Sequence, residues 1–163
     1  MTNAEIYRLI MNLIRFGIVE QVNLTLDPPM ARVRCGELLT DWLPWSARRA
    51  GNARTWWPPT EGEQVIILAA GGELSAGVIV ASLNQKSIPA PTTTANTQHV
   101  TYPDGAVIEY NANTGALKAT DGGQMSGNIE HTGGAFSSNG VVIDSHDHGG
   151  VQRGSSNTDR PNT

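Results

Sequence analysis

The sequence predicts an all-β chain in two unlike parts. A short N-terminal helix leads into a small closed barrel, and a C-terminal run of short strands needs further copies of itself to make a core. Three observations predict this. Five or so strand-patterned runs fall within about 70 residues after the helix, a density typical of small barrels. Turn signals recur every eight to eleven residues from Thr97 onward. That second part also holds only 11 Val, Ile, Leu, Met or Phe among its 67 residues, too few for a conventional core in one chain.

The elements follow in order. Ile6, Leu9, Ile10, Leu13 and Ile14 recur at helical spacing, Thr2 or Asn3 is a suitable cap, and Gly17 is the expected stop. GIVEQVNLTLD then alternates, with Ile18, Glu20, Val22, Leu24 and Leu26 on one face. DPP makes a turn, and MARVRCG alternates again. EQVIILAA and AGVIVASL are continuous β-branched runs suited to buried strands, joined at Gly71-Gly72. A closed barrel of this size includes the oligonucleotide/oligosaccharide-binding (OB) type among its options. WLPWSARRAGNARTWWPPTEGE is its long irregular insert, and SIPAPTTTANTQ reads as a stiff, exposed connector.

Composition narrows the function classes. The net charge of −4 gives no reason to expect nucleic acid as a main partner. A single cysteine, Cys35, excludes an internal disulfide and fits synthesis in the cytoplasm. No apolar run reaches the roughly 20 residues of a membrane span. Glu5, Arg8 and Arg15 break up any signal-peptide core near the N-terminus.

The tail poses a physical problem. Its short strands each offer one modest apolar face, and nothing in the chain is left to cover it. Disorder is one escape. Winding several copies about a shared axis is another, since Val107 or Ile108, Leu117, Ile129, and Val141 or Val142 then fill a common core and each strand edge finds a neighbour. His146 and His148 favour the second. Two positions apart in an extended segment, they point the same way, and one chain supplies only this pair where a metal needs more ligands. Threefold symmetry turns two imidazoles into six. Six neutral nitrogens in octahedral array disfavour zinc, so iron(II) leads, with another divalent transition ion such as nickel or cobalt behind it.

Ser145-His146-Asp147-His148, then Gly149-Gly150-Val151-Gln152, Gly154 and a Pro161-containing end, form a pattern with a known counterpart. Together with the order of parts, it resembles the contractile-tail baseplate assembly protein V family, the central spikes of P2-like and Mu-like phages and related tailocins. The resemblance implies a helix at 1–16, an OB-fold-type barrel at 17–86, and a linker at 87–98. It implies an intertwined trimeric β-helix at 99–143 and a metal-binding apex with C-terminal tail at 144–163. It further implies a homotrimer holding one iron ion through His146 and His148 of three chains. Such a needle docks on baseplate hub and tail-tube proteins, and sheath contraction drives it through the target cell's outer membrane. Its place would be the baseplate tip of a virion or tailocin particle, after synthesis in the host cytoplasm. No lysozyme-like insert interrupts the chain, so cell-wall hydrolysis is not expected.

Other residues read more plainly. His99 and His131 are expected as surface or internal polar residues, and Asp147 as outward-facing. Trp42, Trp45, Trp56 and Trp57 are expected as loop anchors, Arg48, Arg49 and Arg54 as subunit or partner contacts, and Cys35 as an inert packed thiol. A filled coordination sphere leaves no position for substrate, so no catalytic residue is expected. The competing readings are a metal-dependent enzyme using His146 and His148, and an OB module binding oligonucleotide or glycan through residues such as Trp56 and Arg49.

Overall fold

Thr2 opens the helix as expected: its hydroxyl accepts from the Glu5 amide at 3.3 Å, capping α1 (Asn3–Asn12). The structure, a computed structural model, describes residues 1–121, 123–143 and 145. α1 ends at Asn12 rather than at Gly17, because β1 (Ile14–Asn23) has already begun. Gly17 serves the strand instead. A Cβ there would overlap Val33 Cγ1 and lie 2.7 Å from Arg34 O and 2.8 Å from Cys35 Sγ, so only glycine admits the neighbouring strand this closely.

That neighbour is β2 (Met30–Cys35), followed by β3 (Leu38–Leu39), β4 (Gln64–Ala69) and β5 (Gly77–Leu83). The antiparallel sheet runs β3-β2-β1-β4-β5. β1 spends its first half on β4, Ile14 to Ile18 against Leu68 to Gln64, and its second half on β2, with a register shift between Val19 and Gln21. One strand serving two neighbours in succession, with a bulge between, is how a sheet curls toward a barrel. Alternation places Val19, Ala31, Val33, Cys35, Val65, Ile67 and Ile79 inside, joined by Leu43 from the insert. Cys35 is 5% exposed, and burial pushes its thiol pKa up, as an inert packed thiol requires.

The barrel is not closed by a continuous ladder, contrary to the expectation. β3 and β5 are left as sheet edges, and residues 43–46 cross the gap with single bridges. Ala31 and Leu43 exchange two backbone bonds of 2.9 and 2.8 Å. Pro44 O then accepts from Ile79 N at 2.9 Å, and Ser46 N donates to Ile79 O at 2.8 Å. Pro44 has no N–H to give a ladder, so the crossing stays short and irregular. The rest of the insert follows the expectation, without regular elements beyond the Ala50–Arg54 bridge.

A second glycine seats the helix. Gly72, at φ +76°, closes the turn Ala70–Gly72 after β4, and a Cβ there would overlap the Leu9 carbonyl. Arg8 Nη2 donates to Glu5 at 2.8 Å and to Glu73 at 3.0 Å, tying α1 to the same turn. Yet α1 buries none of its residues: Ile6 and Ile10 stay 42% and 57% exposed, and Leu13, which caps its C-terminus, stays 42% exposed.

Gly17→Ala should therefore destabilise the barrel by about 1–3 kcal/mol through overpacking against β2. Urea unfolding followed by tryptophan fluorescence checks it, and an unchanged midpoint would show that β2 yields freely.

Candidate assembly surface and apex

The segment after β5 carries the candidate functional surface. Residues 84–96 hold no helix or strand. β6 (Thr97–Thr101), β7 (Val107–Asn111) and β8 (Ala116–Thr120) then form a three-stranded antiparallel meander. Its turns fall at Pro103-Asp104-Gly105 and Asn113-Thr114-Gly115, two of the turn signals after Thr97. Asp104 Oδ1 accepts from Ala106 N at 3.0 Å, Asn111 Oδ1 accepts from Asn113 N at 2.9 Å, and Gly105 and Gly115 have φ +90° and +67°.

Register sorts the side chains onto two faces. Val100, Ile108 and Ala119 are cross-strand partners, as are Gln98, Tyr110 and Leu117, and these two rows share one face. The other face carries the row His99, Glu109 and Lys118. There His99 Nδ1 lies 2.7 Å from Glu109 Oε2 and its Nε2 lies 2.9 Å from Thr101 Oγ1, so both ring nitrogens are engaged. The apolar face is uncovered, with Ile108 46%, Tyr110 45% and Leu117 75% exposed. Of the two candidates Val107 and Ile108, it is Ile108 that shares a face with Leu117.

β9 (Ser137–Ser138) and β10 (Val141–Val142) pair antiparallel across Asn139-Gly140, whose φ values of +49° and +81° are those of a two-residue hairpin turn. His131 packs its ring 5.6 Å from that of Phe136. Met125, Ile129, Phe136, Val141 and Ile143 are all exposed. Among the described residues beyond Ile79, not one is buried.

His146 and His148 lie outside the described residues, as do Asp147 and all the residues after it. Among the described residues no group of three His, Cys, Asp or Glu is placed to hold a metal ion. Neither His99 nor His131 falls in such a group. The tryptophans divide: Trp45 packs against the core, Trp42 lies under Arg32, and Trp56 and Trp57 are 63% and 66% exposed. Sequence reasoning missed the stack of Trp57 on Tyr102, with centroids 6.0 Å apart and planes 6° apart. No local pattern signals a contact between residues so distant in the chain.

A five-stranded curled sheet, an uncovered strand array and a histidine-bearing end define a structural protein that assembles with others. Known proteins show the same parts in the same order. A family model described as the type VI secretion system/phage-baseplate injector OB domain matches residues 15–83, the phage spike trimer matches 110–139, and the GpV apex motif matches 140–162. The spike protein of Escherichia phage P2 is 36% identical over 199 aligned positions, covering 92% of this chain and 93% of the relative. This chain belongs to the phage baseplate spike family. It is a structural central spike of a phage tail, a virion baseplate component and not an enzyme.

Leu117→Asp puts a charge on the uncovered face without disturbing any buried side chain of the barrel. The expected outcome is loss of self-association in light scattering while the barrel's unfolding transition is retained. Undiminished mass would show that this face is not where copies meet.

Proposed function

We propose that three copies wind the segments after Thr97 about one threefold axis and form a needle. The barrels lie at its blunt end and the histidine pairs at its point. The observation that carries this reading is the uncovered row of Ile108, Tyr110 and Leu117 on a sheet that buries nothing in its own chain. Three such faces converging on an axis would give each a cover, and the match to the phage spike trimer supports the number. The chain then divides near the joints the sequence suggested, each shifted by a few residues: the helix Asn3–Asn12, the barrel strands from Ile14 to Leu83, a linker at 84–96, the β-helix from Thr97 and the apex from 144 onward.

The apex motif supports a metal at the tip. The donor set fits one: two neutral imidazoles per chain, from His146 and His148, become six nitrogens in a trimer, and six nitrogens suit an octahedral iron(II) better than zinc. Bound there, the ion supplies cross-linking of three chain ends rather than chemistry on a substrate, because no coordination position is left open. The chain ends are where fraying starts, so that is where a cross-link stiffens most. The barrels would face the baseplate hub and tail tube. The point would meet the outer membrane of the target cell when the sheath contracts.

Two measurements test this. Native mass with elemental analysis should give a trimer with one ion per three chains, and one ion per chain would contradict the shared site. His146→Ala should abolish the metal and lower the tail's unfolding temperature, whereas His99→Ala should leave metal content unchanged. Imidazole binds metal only when neutral, so protons compete for the site and metal content should fall as the solution is acidified. Full retention of the metal in strong acid would argue against histidine ligands.

A further inference from the structure

Each barrel carries two apolar surfaces that its own chain does not cover. The first is convex. Ile6 and Ile10 of α1, with Leu13 at its C-cap, recur at i, i+4 and i+7 and are about half exposed, while Leu9 and Arg8 hold the helix on the Gly72–Glu73 turn. The second is concave, a groove of about 700 Å³ beside β5, walled by Trp45, Trp57, Pro58, Ile88 and Tyr102. A helix presenting anchors at i, i+4 and i+7 to an apolar groove is a recurring mode of recognition.

The groove is continuous with the surface on which copies meet. Thr101, Tyr102 and Pro103 form part of its wall, and Thr101 is the last residue of β6, directly after Val100 on the uncovered sheet face. A neighbour that covers Val100 and Ile108 therefore lies beside the groove. Threefold symmetry also dictates the kind of contact. A cyclic trimer joins two different patches head to tail, so each copy must offer a donor surface and a distinct acceptor. The helix stripe and the groove are such a pair.

We propose that the α1 stripe of one copy seats in the aromatic groove of the next, so that three helices close the barrels into a ring above the needle. The occupant of the groove is a second copy of this chain. This inference rests on the trimer reading, and the test separates the two. In full-length chain with Cys35→Ala, the double variant Ile10→Cys and Ile88→Cys is oxidised and run under denaturing, non-reducing conditions beside a native mass measurement. The expected result is a covalent trimer that neither single variant gives. Trimeric native mass with free thiols, or with a disulfide inside one chain, overturns the ring contact and leaves the needle standing. A monomeric native mass overturns both. Where the double variant fails to fold, Ile10→Asp serves: the trimer should persist while tryptophan emission moves to longer wavelength as the groove is wetted, and unchanged emission overturns the contact. Trimer with an uncovered groove would assign the helix stripe to a different protein of the baseplate.

Discussion

One constraint governs the described residues after the barrel: none of their apolar side chains is buried within the chain. Ile108, Tyr110 and Leu117 form a contiguous face across β7 and β8 that faces away from His99 and Glu109. In water that face is a cost at roughly 25 cal/mol for each Å² left exposed, and the meander's outer strands are unpaired edges besides. Adding apolar residues to a single chain would solve only the first problem, whereas adding copies solves both, and the homotrimer that the spike-trimer match supports gives such a face its cover.

The barrel obeys the opposite rule. Its inward positions are filled within the chain, with Val19, Ala31, Val33, Leu43, Val65 and Ile67 all at 1% exposure or less. Even its polar interior is satisfied. Buried Thr40 accepts from Val33 N at 3.0 Å and donates to Asp41 O at 2.8 Å. The irregular crossing at 43–46 costs ladder bonds on one side, but Leu43 repays that by plugging the core. Surface ion pairs such as Arg34 with Glu20 add little by comparison, since both partners are exposed to solvent.

Much of this was legible in the residues, and the exceptions share a cause. Alternation and β-branched runs located β1, β2, β4 and β5, because these signals are local. Gly17 misled as a helix stop because its reason lies on another strand, where Val33 and Cys35 leave no room for a side chain. Closure misled for the same reason: Pro44 forbids a ladder, but that β5 would lie opposite is not written beside it. Parity at Val107 and Ile108 needed register, which depends on the turn at Asp104. The histidine pair stood out because two imidazoles in a chain of four cannot complete a ligand set alone.

The two halves therefore differ in what their stability depends on. The barrel's core is complete within one chain, with Val19, Val33, Leu43, Val65 and Ile67 all buried. Contacts between copies after the barrel form only when partners bind, so they strengthen with concentration and weaken on dilution. Once one row of such a segment is covered by a neighbouring copy, the rows that follow in the same chain are held near that neighbour, which raises their effective concentration and makes each later contact easier to form than the first.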